Sequence, residues 1–178
     1  MLIFVDENGQ SLVAPLKRTW APRGQTPHIW TSIQHTQRIN TIAALLITAG
    51  QRRIRLRTRS YQCNLTGDQV IAFLKYLLRH VRGPIILVWD KHPIHRRDKV
   101  KQFLAQHPRL HVFEFPTSAP ELNPVEFVWT QLDSELAGSA PRNIQELAGR
   151  IRLTFQRIRK SFSRLWACIY WSGLPWER

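Results

Sequence analysis

Five consecutive large apolar residues, Ile85-Ile86-Leu87-Val88-Trp89, stand between Gly83-Pro84 and Asp90. A run this short is a strand rather than a helix, and its lack of alternation places it centrally, buried on both faces. A sheet with helices on its faces follows, and the other elements can be assigned around that strand.

Upstream, residues 2–5 read as a short β-prone run ending at Asp6-Glu7-Asn8-Gly9, where Asn-Gly signals a turn. Residues 11–16 would then return as a second strand, and Thr19 to Pro27 form a Pro- and Gly-containing loop. Residues 38–48 are rich in Ile, Thr and Leu, and Ala49-Gly50 turns into Arg53-Ile54-Arg55-Leu56-Arg57-Thr58-Arg59. The alternation in that last stretch puts Arg53, Arg55, Arg57 and Arg59 on one face of a strand.

Downstream, Thr66-Gly67-Asp68 opens a helix to about residue 82. A basic helix covers 95–106, a strand 110–115, and a Pro-rich loop leads into a helix from about 124 to 137. From Pro141 to about 170, Leu147, Ile151, Phe155, Ile158, Phe162, Leu165 and Ile169 recur at steps of four and three. That spacing predicts one long amphipathic helix with a basic stripe of Arg150, Arg157 and Arg164. Strands, a helix, then alternating strands and helices fit a mixed sheet flanked by helices.

At 178 residues and 43% hydrophobic the chain suits one core. Residues 1–140 are expected to form the main domain, with 141–178 a helical extension packed on it. Lys and Arg number 26 against 12 Asp and Glu, a formal charge of +14. So large an excess is costly in self-repulsion unless a polyanion relieves it, and nucleic acid is the commonest one. No apolar run is long enough to span a membrane, and no polybasic cluster sits beside an amphipathic anchor. Only Cys63 and Cys168 occur, without a CxxC pair, which points away from zinc or disulfides and fits a reducing compartment. The start, Met1-Leu-Ile-Phe-Val-Asp6, has no basic segment and does not read as a signal peptide.

Within this basic chain three acids stand at element ends: Asp6 after the first strand, Asp90 after the buried strand, and Glu126 at the start of a helix. Ligands of α/β sheets gather beyond the carboxyl ends of strands, so Asp6 and Asp90 can be neighbours across 84 positions. Oxygen ligands of this kind select Mg²⁺ or Mn²⁺, and two such ions serve in-line displacement at phosphorus. The plainer alternative is that each acid caps a turn or a helix.

Four stretches carry a resemblance: Phe4-Val5-Asp6-Glu7; Thr19-Trp20-Ala21-Pro22-Arg23-Gly24; Trp89-Asp90-Lys91-His92-Pro93-Ile94-His95-Arg96; and Ser118 to Trp129, reading SAPELNPVEFVW. In order and spacing they resemble the DDE transposases of bacterial insertion sequences, the insertion sequence 630 group related to mariner elements. The likeness spans about residues 2 to 135. It implies an RNase H-like, retroviral integrase-like fold with a five-stranded mixed sheet and a C-terminal amphipathic helix. It also implies that Asp6, Asp90 and Glu126 are the catalytic triad, binding two Mg²⁺ or Mn²⁺ ions. Asp90 and Glu126 are 36 positions apart, close to the family's habit. Where relatives often carry Asn after the second aspartate, this chain has Lys91.

His95 matches a frequent family histidine that orients substrate or ligand-bound water, the alternative being a packed histidine at a helix start. Glu7, Glu121 and Asn123 are recurrent neighbours, taken as supporting residues rather than ligands. The resemblance further implies a partner, DNA, as transposon ends and target, engaged by a homodimer in the bacterial cytoplasm at the nucleoid. Relatives carry helix-turn-helix modules ahead of this domain; here either the reading frame begins at the catalytic domain or a separate helix-turn-helix polypeptide recognises the ends.

Candidate DNA contacts are Arg53, Arg55, Arg57, Arg59, Lys91, Arg96, Arg97, Arg150 and Arg157. For the arginine strand the alternative is a charged edge that deters sheet aggregation; for the last helix it is a solvated face. Trp20 and Trp30 suit core packing better than stacking on flipped bases. Three activities are compatible with this sequence: a transposase catalytic domain, an inactive or domesticated DNA-binding fragment, and a metal-dependent nuclease of the same fold.

Overall fold

A computed structural model describes residues 1–13, 20–25, 28, 37–48, 50 and 53–175. Five strands, β1 (Leu2–Ser11), β2 (Arg38–Ile47), β3 (Ile54–Tyr61), β4 (Ile85–Trp89) and β5 (Leu110–Glu114), form one sheet in the order β3-β2-β1-β4-β5. The first three pair antiparallel, whereas β4 and β5 run parallel to β1, so the sheet is mixed. Helices α1 (Gly67–His80), α2 (Asp98–Ala105), α3 (Glu126–Leu136), α4 (Ile144–Lys160) and α5 (Phe162–Trp171) complete the order.

Alternation along the strands divides the interior into two cores. Ile3 and Val5 of β1 join Phe73, Leu74, Leu77, Val100 and Phe103 beneath α1 and α2. Phe4 joins Ile39, Ala43 and Leu45 with Val128, Trp129, Ile151, Phe155 and Leu165 beneath α3 to α5. Residues beyond 140 thus pack in the same core as the sheet. Thr66 starts α1 through a capping box with Gln69, as the Thr66-Gly67-Asp68 signal predicts.

The structure departs from the sequence expectations in four places. Asn8-Gly9 is no turn: β1 runs straight through it, with Asn8 opposite Thr41 and Gly9 opposite Asn40. A Cβ there would lie 2.5 Å from Asn40 Oδ1, so a larger residue would displace the Asn40 side chain, and the glycine serves close approach rather than bending. The return strand at 11–16 is therefore absent from residues 11–13, and residues 14–16 lie outside the described residues.

β4 is not buried throughout, since Ile86 is 44% exposed. Helices α4 and α5 lie over β2 and β3, and Ile86 of β4 and Phe113 of β5 are left exposed. The predicted basic helix at 95–106 begins only at Asp98, because residues 93–96 form a turn. Finally, the long helix after Pro141 is two helices. Ser161 is extended (φ −105, ψ 106), ends α4 and caps α5 by accepting from the Arg164 N–H. The break shifts the apolar face, leaving Phe162 60% exposed while Leu165, Cys168 and Ile169 are buried.

Candidate active site

Asp6 lies inside β1, opposite Ala43 of β2, rather than after the strand. What ends at this level is β4: its parallel pairing with β1 stops at Phe4↔Val88. Two residues further along each chain, that register sets Asp6 level with Asp90, where adjacent strands are about 5 Å apart. Glu126 opens α3, and a pocket of about 290 Å³ is lined by Asp6, Asp90 and Glu126 together with Lys91, His92, Asn123 and the loop Phe115–Pro120. Three acids remote in sequence therefore share one cavity. A larger cavity, about 560 Å³ between β3 and α4, contains Arg152 and Arg159 and is lined by no carboxylate.

Each acid is held differently. Asp6 is buried; Oδ1 accepts the Glu7 backbone N–H at 2.9 Å and Oδ2 accepts the Trp129 Nε1–H at 2.8 Å. Burial drives its pKa up to about 8, with the charges of Glu126 and Glu7 adding and the two hydrogen bonds opposing. Glu126 is also raised, by burial and then by the charge of Asp90. Asp90 moves the other way. Burial would raise it, but hydrogen bonds from His95 and the His92 N–H, reinforced by charge, hold it below the ordinary carboxylate range.

Strand alternation sends Asp6 toward α3 and Glu7 toward α2, and His95 meets Glu7 there. Its Nδ1 lies 3.0 Å from the Asp90 carbonyl and 3.2 Å from Asp90 Oδ1, and its Nε2 lies 3.2 Å from both Glu7 carboxylate oxygens. Burial would depress this imidazole, yet bonding to Asp90 and Glu7 pushes its pKa up to about 10. Among the described residues, Glu7, Asp90 and His95 bring their possible ligand atoms within 4.8 Å of one another. With its imidazole protonated the trio is an ion-pair bridge, His95 donating from both nitrogens; with it neutral the same three groups have the spacing of metal ligands.

Asn123 is buried and ties two elements together, donating to the Val5 carbonyl at 3.4 Å while accepting the Val125 N–H at 3.2 Å. It thereby fixes the start of α3 against β1. Glu121 is exposed and does not line the pocket; its carbonyl instead accepts the Gly173 N–H after α5. Ser118, on the pocket loop, adopts φ 58, a left-handed conformation unusual for a residue with a side chain.

The basic candidates fall into two groups. Arg96 grips Glu114 through two bonds, Arg150 pairs with Glu146, and Arg157 pairs with Glu135. Arg57 reaches the Tyr76 hydroxyl and Arg59 lies over the Tyr76 ring. Lys91 sits on the pocket rim, 3.2 Å from Thr117 Oγ1. Arg53, Arg55 and Arg97 are exposed and have no carboxylate partner among the described residues. Trp20 is 100% exposed, so it is no core residue, and Trp30 lies outside the described residues.

Trp129 is a site residue without a sequence motif of its own; its spacing from Glu126, one helical turn, is the signal that places it there. No described helix is long and apolar enough to cross a membrane.

A family model described as DDE superfamily endonuclease matches residues 1–148. No curated protein matches the chain by sequence. Among solved structures, the mariner Mos1 paired end complex with Mg aligns with TM-score 0.64 at 14% identity, over 99% of this chain and 56% of that one. The simian T-cell lymphotropic virus intasome aligns with TM-score 0.61 at 11% identity, over 99% and 56%. The catalytic core of BIV integrase aligns with TM-score 0.51 at 14% identity, over 90% and 84%. The chain thus spans little more than half the length of the Mos1 chains in the paired end and strand transfer complexes it matches. With its mixed five-stranded sheet, it has the RNase H-like fold of transposase and integrase catalytic cores.

Proposed function

Since this chain belongs to the DDE superfamily endonucleases, we propose that Asp6, Asp90 and Glu126 hold two Mg²⁺ or Mn²⁺ ions and cut and join DNA at transposon ends. The observation that carries this reading is the convergence of the three carboxylates on one pocket within a chain of formal charge +14. The donor set fits such ions, being oxygen only and leaving room for water and phosphate. The raised pKa of Asp6, driven by burial with the charges of Glu126 and Glu7 adding, is the kind that a cation in the pocket would relieve.

Divalent ions held there would supply the charge that activates an attacking oxygen and stabilises the leaving one. The chain's own residues do the rest. Asp6 is fixed by Trp129 and the Glu7 N–H, Asp90 by His92 and His95, and Asn123 seats the helix that presents Glu126. The basic surface draws the phosphate backbone toward the acidic pocket and positions it without reading sequence. Hydrolysis uses water as the attacking group, and strand transfer uses the freed 3′-hydroxyl; both are displacements at phosphorus, so one pocket serves both. End recognition is assigned to residues outside this domain or on a separate helix-turn-helix polypeptide, and pairing of two ends to a homodimer.

The test is nicking of a transposon-end duplex in Mg²⁺ or Mn²⁺, followed by joining of a pre-cut end to a plasmid. Asp90→Asn is expected to abolish both while DNA binding persists. Nicking without joining would reassign the domain to a simple nuclease. Binding without nicking by the unsubstituted protein would make it a DNA-binding fragment, a reading favoured by one observation, the Lys91 ammonium on the pocket rim.

A further inference from the structure

The indole of Trp129 is buried at 3% exposure and directs its one polar atom at Asp6 Oδ2, 2.8 Å away. Resting on the metal-binding reading of the pocket, we infer that Trp129 is a positioning residue that sets the plane of the Asp6 carboxylate for its ions. A carboxylate on a short side chain rotates about Cβ–Cγ, and which lone pairs face the pocket depends on that rotation. Here both oxygens are pinned from the protein side: Oδ1 by the Glu7 N–H at 2.9 Å, Oδ2 by the indole. Each oxygen offers two acceptor sites, so one hydrogen bond apiece leaves one lone pair apiece free.

Helix geometry explains why this tryptophan is at hand. Trp129 follows Glu126 by three residues, so one face of α3 presents the pocket acid and, a turn later, the donor that reaches across to β1. The ring is itself held edge-on by Phe155 of α4, with centroids 6.2 Å apart and planes at 71°. Phe155 is 2% exposed, so the donor cannot swing away without disturbing the core. The pocket acids on β1 and α3 are thereby registered through one hydrogen bond as well as through Asn123. Supporting hydrogen bonds of this kind change metal affinity by about 10- to 100-fold when removed.

The experiment is Mn²⁺ binding to the full chain, read by water-proton relaxation, with thermal unfolding of the metal-free protein alongside. Two changes are compared with the unsubstituted protein: Trp129→Phe, and replacement of the Trp129 indole by benzothiophene, which keeps the shape and deletes only the N–H donor. The benzothiophene protein is expected to bind Mn²⁺ about tenfold more weakly with its melting temperature nearly unchanged. Unaltered Mn²⁺ affinity in it overturns the inference and leaves the metal-site reading standing. A loss of affinity that follows a loss of folded protein also overturns it. If the unsubstituted protein binds no Mn²⁺, or binds it equally well as Asp6→Ala, the metal-site reading falls and the inference with it.

Discussion

The imidazole of His95 lies flat on the indole of Trp89, with ring centroids 4.1 Å apart and planes 5° from parallel. Strand β4 therefore carries at its last residue, just before Asp90, the platform for the imidazole that restrains Asp90. Removing that imidazole leaves Glu7 and Asp90 facing each other without compensation. His95→Ala is expected to destabilise the metal-free protein by about 3 kcal/mol, the low end for breaking a buried pair because Asp90 is half exposed. The pH sign follows from the raised folded pKa: the stabilisation is whole below about 6.5, the ordinary value, and is lost as pH rises through about 10. Urea unfolding from pH 6 to 10 checks this; an unchanged pH profile in His95→Ala would show that the bridge is neutral.

Asp6 couples its proton to metal as well as to folding. Its carboxyl titrates near 8 when folded against 3.8 ordinarily, so between those values the native state holds an extra proton. Metal-free stability should fall as pH rises across that window. Divalent ions must displace the proton, so Mn²⁺ affinity should climb by up to about tenfold per pH unit until pH 8 and then level. Calorimetric titration from pH 6 to 9 measures it. A flat profile below 8 would mean that Asp6 is already ionised and the acids are better compensated than their burial implies.

The parts of this molecule legible in sequence are those governed by local rules. The Thr66 cap, the alternation of β3 and the run at β4 each state their own conformation. Asp90 follows β4 and Glu126 opens α3, as local signals indicate, whereas Asp6 reaches the same pocket from inside β1, through sheet register. Gly9 misled because glycine answers two demands, tight turns and close approach, and only the neighbour Asn40 tells which applies. Ser161 was hidden because its break falls within an apolar repeat that continues on either side, so the periodicity shows no gap. The His95–Glu7 bridge, across 88 positions, depends on β1 passing beyond β4, which is a matter of sheet register.

The ammonium of Lys91 stands beside the pocket acids, bonded to Thr117. A cation there competes electrostatically with a metal ion, though solvent screens so exposed a group. Lys91→Asn is expected to raise Mn²⁺ affinity two- to fivefold, under about 1 kcal/mol as for exposed charge pairs. The gain should shrink in high salt. Equal affinity in both proteins at low salt would show that Lys91 leaves the metal site alone and place its charge at the service of DNA.

The arginines separate by whether a carboxylate already holds them. Arg150 and Arg157 are paired with Glu146 and Glu135, so contact with phosphate would first have to break an ion pair. Arg53 and Arg55 stand exposed at the start of β3, the edge strand of the sheet, with no carboxylate partner among the described residues. Each phosphate neutralised on duplex DNA contributes about 0.9 to the slope of log affinity against log salt. The double substitution Arg53→Gln with Arg55→Gln is therefore expected to lower that slope by between about 1 and 2, and to weaken all duplexes alike. Arg150→Gln with Arg157→Gln should lower it by less. Binding of a transposon-end duplex and of a random duplex, followed by fluorescence anisotropy across salt concentrations, distinguishes the two pairs. An unchanged slope in the β3 pair, accompanied by increased aggregation, would identify these arginines as protection of an open sheet edge rather than as a DNA contact.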